Sequence, residues 1–106
     1  MKWKQYGQHF LIDKNIIEKE INEATLAKSD IVLEIGPGKG ALTRELAKKA
    51  KQVIAIEIDK QLYNVLLKDI PDNVTLICDD VMKVDFSLFP SFTKVVANLP
   101  YQISSP

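Results

Sequence analysis

Four short stretches hold the groups in this chain with chemical potential, and each follows an apolar run. Glu34-Ile35-Gly36-Pro37-Gly38-Lys39-Gly40 follows Ile31-Val32-Leu33, and Ile56-Glu57-Ile58-Asp59 completes a run begun at Val53. Asp79-Asp80-Val81 follows Val74-Thr75-Leu76-Ile77-Cys78, and Asn98-Leu99-Pro100-Tyr101 follows Lys94-Val95-Val96-Ala97. The glycine stretch brings main chain against a ligand, because a residue without Cβ permits both φ > 0 and close approach. A helix begun just beyond it adds unpaired N–H groups and a positive dipole end. Gly36, Gly38 and Ala41 fit the permissive dinucleotide pattern. Glu34 does not, since a carboxylate at that strand end does not suit a pyrophosphate. It suits a ligand ammonium, or an orienting role toward the N–H groups of the loop. S-adenosylmethionine has the ammonium and no phosphate.

Glu57 lies about 20 positions after Gly38, where an acidic residue can accept both hydroxyls of a ribose. Asp59 competes for that role, or caps the helix that follows. Asp80 can accept from an adenine amino group beside the ribose site, with Asp79 as its rival and Ile58 and Val81 as apolar walls. The Asn-Leu-Pro-Tyr stretch speaks to the reaction. The exocyclic amine of adenine is a poor nucleophile because its lone pair is delocalised. The Asn98 side-chain oxygen and the Leu99 carbonyl can both accept from that amine, favouring an sp³-like nitrogen whose lone pair points at an electrophile. Pro100 removes one N–H and stiffens the turn, and Tyr101 offers a face for base stacking. Catalysis then consists mainly of aligning nitrogen, methyl carbon and sulfonium. The target base must be single-stranded or flipped out.

Placing these stretches together requires particular elements. Residues 1–12 read as an arm with Trp3, Tyr6, Phe10 and Leu11 as its apolar members. Residues 13–106 read as the larger unit. Asp13 is a candidate N-cap for a helix over 14–24, striped by Ile17, Ile21 and Ala24. Strands are expected over 30–35, 52–57, 74–78 and 94–97, with runs suited to burial on both faces. Helices are expected over 41–50 (Leu42, Leu46 and Ala50 inward) and 60–70 (Leu62, Val65, Leu66 and Ile70 inward). Residues 81–93 read as loop, packed down by Phe86, Leu88, Phe89 and Phe92. Alternating strands and helices argue a parallel α/β sheet. Its natural order is 3-2-1-4, with the ligand crevice at the carboxyl ends of the strands beside the switch between strands 1 and 4.

The chain has 106 residues, 46% hydrophobic and 26% charged, which suits one small core. Nothing approaches the roughly 18 consecutive apolar residues of a membrane span, and no secretory leader is evident. The 14 basic and 14 acidic residues cancel, so any RNA-binding surface must be local. Cys78, the one cysteine, reads as a reduced core thiol in a cytoplasmic protein. No metal is expected.

Taken with Gly7-Gln8-His9-Phe10-Leu11-Ile12-Asp13 and the ending Gln102-Ile103-Ser104-Ser105-Pro106, these motifs resemble the small-subunit ribosomal RNA adenine dimethyltransferases, nearest their archaeal and eukaryotic branch. The resemblance runs from Gly7 to Pro106 and covers the N-terminal half of that family. It implies a Rossmann-like fold and S-adenosylmethionine as donor of two methyls to each of two adjacent adenines near the 3′ end of the small-subunit RNA. The pre-small ribosomal subunit would be the partner. It further implies that Gln8, His9, Phe10 and Leu11 lie over the cofactor, with His9 and Leu11 binding it. Gly36 meets the methionine portion, Glu57 the ribose and Asp80 the adenine, while Asn98 stands between cofactor and target. By spacing alone His9 is a lone arm histidine. Asp79 departs from the glycine usual in the family before the third-strand aspartate.

Family members continue into further strands and a helical domain. The chain is therefore expected to be a fragment, inactive by itself, with an open sheet edge beside strand 4 that invites self-association. The rivals are a large-subunit adenine methyltransferase of the macrolide-resistance type, a non-catalytic assembly factor on the same fold, and an NAD-dependent oxidoreductase. Glu34 and the Asn98 to Tyr101 stretch disfavour the last.

Overall fold

A computed structural model describes residues 18, 19, 21, 22 and 24–97. The elements alternate as expected: β1 (Ile31–Ile35), α1 (Ala41–Lys49), β2 (Gln52–Glu57), α2 (Lys60–Leu67), β3 (Val74–Cys78) and β4 (Lys94–Ala97). The strands form one parallel sheet in the order β3-β2-β1-β4. Before β1, residues 18, 19, 21, 22 and 24 are helical; the remainder of the expected first helix and the whole arm lie outside the described residues.

Two apolar layers sandwich the sheet. On one face Val32, Val53, Ala55 and Val74 meet Leu42, Leu46 and Ala47 of α1 and Ala50 just past its end, together with Ile21 of the leading helical turn. Burying each such leucine stabilises the fold by about 1.5–3 kcal/mol. On the other face Leu33, Ile54 and Ile56 are covered by Phe86, Phe89 and Phe92 from the β3–β4 connection. Phe86 and Phe92 meet edge to face, with centroids 5.7 Å apart.

Several expectations are corrected. The β3–β4 connection contains two 3₁₀ turns, Val81–Lys83 and Phe86–Leu88, rather than plain loop. Leu88 is exposed; at the end of its turn it points away from the sheet while the three phenylalanines cover it. Helix α2 ends at Leu67, where the N–H groups of Lys68 and Asp69 bond three residues back and tighten the last turn. Val65 is exposed, because α2 turns the line of Leu62 and Leu66 toward the sheet and Val65 lies off that line. β4 alternates between half-buried and exposed instead of being covered on both faces, since among the described strands it pairs with β1 alone. Cys78, at the end of β3, is half-buried rather than a core thiol.

The amino ends of the strands are tied across long sequence separations. The Thr93 hydroxyl donates to Asp30 at 2.6 Å and accepts from the Ile31 N–H at 3.0 Å. The Lys94 ammonium donates to the carbonyls of Ala24 and Thr25 at the end of the leading helical turn. The Asn73 side-chain amide donates to the Ala47 and Ala50 carbonyls, capping the carboxyl end of α1 from the entrance to β3. These links hold one end of the sheet shut and leave the carboxyl ends to carry the site.

Candidate functional site

Three of the four chemical stretches stand on adjacent strand tips. Ile35 lies opposite Ile56, and Glu57 opposite Cys78. The ladder continues one step beyond the strands: Gly36 N–H donates to the Ile56 carbonyl at 3.0 Å, and Asp79 N–H to the Glu57 carbonyl at 3.1 Å. The glycine loop, Glu57 and the Asp79-Asp80 pair therefore sit on neighbours roughly 4.8 Å apart. The fourth stretch begins one residue after Ala97, which pairs with Ile35. Asn98, Leu99, Pro100 and Tyr101 lie outside the described residues, as do Gln8, His9 and Leu11 of the arm.

The loop turns through Gly36, Gly38 and Gly40 with φ of 76°, 59° and 87°. Gly40 N–H closes the turn onto the Pro37 carbonyl at 2.9 Å, and Gly40 then serves as N-cap of α1. The helix has neither a side-chain cap nor an acidic residue in its first turn.

Glu57 is only 5% exposed. Its Oε1 accepts from the Gly38 N–H at 3.0 Å and its Oε2 from the Asp59 N–H at 2.9 Å. A carboxylate offers about four lone-pair sites, so each oxygen keeps capacity for one more donor. A ribose diol presents two. The same group thus fixes the loop and remains able to accept a nucleoside. Asp59 is occupied otherwise: its Oδ1 caps α2 by accepting from the N–H groups of Gln61 and Leu62 at 2.8 and 3.2 Å.

Glu34 is fully buried on the α1 side of the sheet. Its Oε1 accepts from the Thr43 hydroxyl at 2.5 Å. Asp80 caps the Val81–Lys83 turn through a 2.9 Å bond from Met82 N–H, and Asp79 accepts the Asp80 N–H at 2.7 Å. Asp80 is half-buried where Asp79 is exposed. Ile58, 68% exposed beside Glu57, offers an apolar wall at the tips, as does half-buried Val81. The groove of about 340 Å³ between α1 and the α2–β3 turn carries none of these strand-tip residues; Arg44, Ala47, Lys48, Asp69, Ile70 and Pro71 line it.

Sequence reading missed Thr43. The signal was there: positions 42, 43, 46 and 47 form the inward stripe of α1, and Thr43 is its polar member. A polar group in that stripe needs a partner, and Glu34 supplies one.

The donor and acceptor set fits S-adenosylmethionine. Glu57 suits its ribose and Asp80 with Ile58 and Val81 its adenine, while the glycine loop, whose own Gly36, Gly38 and Gly40 N–H groups are bonded within the fold, offers the amino-acid end a close approach without Cβ atoms. A dinucleotide would set its phosphates beside this row of carboxylates. Among the described residues no cluster of three His, Cys, Asp or Glu could hold a metal ion, and no helix is long and apolar enough to cross a membrane.

A parallel 3-2-1-4 sheet, with a glycine loop after its first strand and acids after its second and third, defines the Rossmann-like fold of S-adenosylmethionine-dependent methyltransferases. The family described as ribosomal RNA adenine dimethylase matches residues 1–106, and the chain belongs to it. A probable ribosomal RNA small subunit methyltransferase A of Methanococcus aeolicus is 57% identical over 97% of the chain and 38% of the relative. One of Pyrococcus abyssi is 52% identical over 94% of the chain and 36% of the relative. The chain thus spans less than two fifths of the length of these curated relatives. Among solved structures, a dimethyladenosine transferase from Plasmodium falciparum superposes with TM-score 0.71 at 39% identity, over 84% of this chain and 33% of that one. The 23S rRNA methyltransferase ErmE gives 0.59 at 35% identity, over 69% and 31%.

Proposed function

We propose that the full-length protein dimethylates N6 of two adjacent adenines near the 3′ end of small-subunit ribosomal RNA, with S-adenosylmethionine as donor. The observation that carries this reading is a shared carboxylate. Glu57 bonds the glycine loop from the tip of the neighbouring strand, so ribose acceptor and loop form one preorganised cradle in a chain of the adenine dimethylase family. The names of the similar proteins favour the small-subunit RNA over the large-subunit RNA.

Bound S-adenosylmethionine would supply a methyl group on a sulfonium, with a neutral thioether as leaving group. Glu57 would hold the ribose, Asp80 would accept from the adenine of the cofactor, and Ile58 and Val81 would exclude water from its ring. Gln8, His9 and Leu11 would complete that site. Asn98 and Leu99 would accept from the target amine and aim its lone pair, with Pro100 limiting the backbone between them and Tyr101, the face for the flipped base. The substrate form is the pre-small subunit, met in the cytoplasm. The 106-residue chain by itself associates through the β4 edge, where Val95 is 55% exposed. Sedimentation at rising concentration would show one unchanging species if that edge is inert.

The test is to incubate the full-length protein with labelled S-adenosylmethionine and unmethylated small subunits, then locate the modified bases. Label in two adjacent 3′-terminal adenines is expected. Its absence there, or its appearance only in large-subunit RNA, overturns the assignment. Asn98→Ala should retain cofactor binding and nearly abolish transfer.

A further inference from the structure

We propose that Thr43 is a positioning residue for the amino-acid end of the cofactor: its hydroxyl holds the Glu34 carboxyl in place as a fixed acceptor two residues before the glycine loop turns over the strand tip. The inference rests on the cofactor reading above and extends it to a residue outside the strand tips.

Thr43 is 2% exposed and Glu34 has no exposed surface, yet they meet at 2.5 Å, the short end of the range for a hydroxyl on a carboxylate. A helical threonine usually turns its hydroxyl to a carbonyl one turn back. Here it reaches across to the sheet. Register explains the room for it: Glu34 lies between Ala55 on β2 and Val96 on β4, so one of its two neighbours in the sheet is a methyl group. Glu34 is also two residues before Gly36, where the main chain turns over the strand tip. A carboxyl oxygen held there, away from water, accepts from a ligand ammonium more strongly than one in solvent. The Thr43 bond fixes one of its oxygens and so sets where the other points.

The same bond also ties the uncapped first turn of α1 to β1, so a structural contribution is expected in any case. What separates positioning from structure is which part of a ligand notices the change. S-adenosylhomocysteine carries adenine, ribose and the amino-acid group. 5′-Methylthioadenosine carries the first two and lacks the third.

Calorimetry on the full-length protein should therefore show Thr43→Val weakening S-adenosylhomocysteine about tenfold, the scale of a lost hydrogen bond to a charged group. Methylthioadenosine affinity should stay within about twofold, an invariance that also reports a folded site. Thr43→Ser should restore the loss, and Thr43→Val should cost nothing further in a Glu34→Gln background. Equal loss for both ligands, or loss for neither, overturns the positioning role and leaves the cofactor reading standing. Failure of the unmutated protein to bind either ligand overturns the cofactor reading, and this inference with it.

Discussion

Glu57 gives one oxygen to the N–H of Gly38 and the other to the N–H of Asp59, in a position almost without solvent. Both bonds lie within the protein itself. A residue that serves only the ribose would leave the free protein indifferent to its replacement; one that also ties the loop to its own strand turn would not. Glutamine has one acceptor oxygen and one NH₂, so in Glu57→Gln one of the two backbone donors faces another donor. Leaving a buried donor unsatisfied costs about 1–3 kcal/mol. Urea unfolding of the ligand-free protein should show a loss of that size, alongside weaker nucleoside binding. An unchanged midpoint would mean that the two bonds contribute nothing and that Glu57 acts on ligand alone. Thr43 illustrates the same point at a second residue. Its type and place in the stripe of α1 were visible in the sequence, but its partner was nine positions away on another element. Side chains that bond across elements are named only by the fold.

At the scale of elements, the glycine loop and α1 act as one piece. Gly40 ends the loop and caps the helix with φ of 87°. A Cβ built there would stand 2.5 Å from Leu66 Cδ2 and 3.1 Å from the Arg44 guanidinium. Gly40→Ala should thus cost about 1–2 kcal/mol for the left-handed backbone and a further 1–3 for displacing buried Leu66. Thermal unfolding measures the sum, and a variant as stable as its parent would show that the loop tolerates another path. The elements themselves were legible because their apolar runs are unambiguous. β2, β3 and β4 fall where the runs of Val, Ile and Ala place them, and the order 3-2-1-4 follows from alternation with helices. Ends and faces were less legible. The last turn of α2 tightens at Lys68 although Ile70 continues the apolar spacing. Val65 has the right type for the core and the wrong azimuth. β4 reads as a central strand and is half-covered, because coverage depends on its neighbours rather than on its own residues.

Across the whole molecule, function and closure occupy opposite ends of one sheet. Glu34, Glu57, Asp79 and Asp80 gather at the carboxyl ends, while the amino ends are locked by Asp30, Thr93 and Lys94. Asp30 is the acid of that lock. The Thr93 hydroxyl, more than any other contact, holds its carboxyl below the usual carboxylate range, and the Ala27 N–H and the Lys94 charge act in the same direction against desolvation. A carboxyl that binds its proton less readily in the folded chain than in the unfolded one stabilises the fold at pH values above its unfolded pKa. That contribution fades as pH falls through the folded value. Asp30→Asn should accordingly be less stable than its parent near neutrality, and the gap should close as the solution is acidified below the range where free carboxylates titrate. Urea unfolding midpoints of both proteins, taken from neutral to strongly acid pH, test this. A gap that stays constant with pH would assign the lock to the shape of the Thr93 contact rather than to its charge. A gap that widens on acidification would reverse the sign of the linkage and place the proton on the folded side.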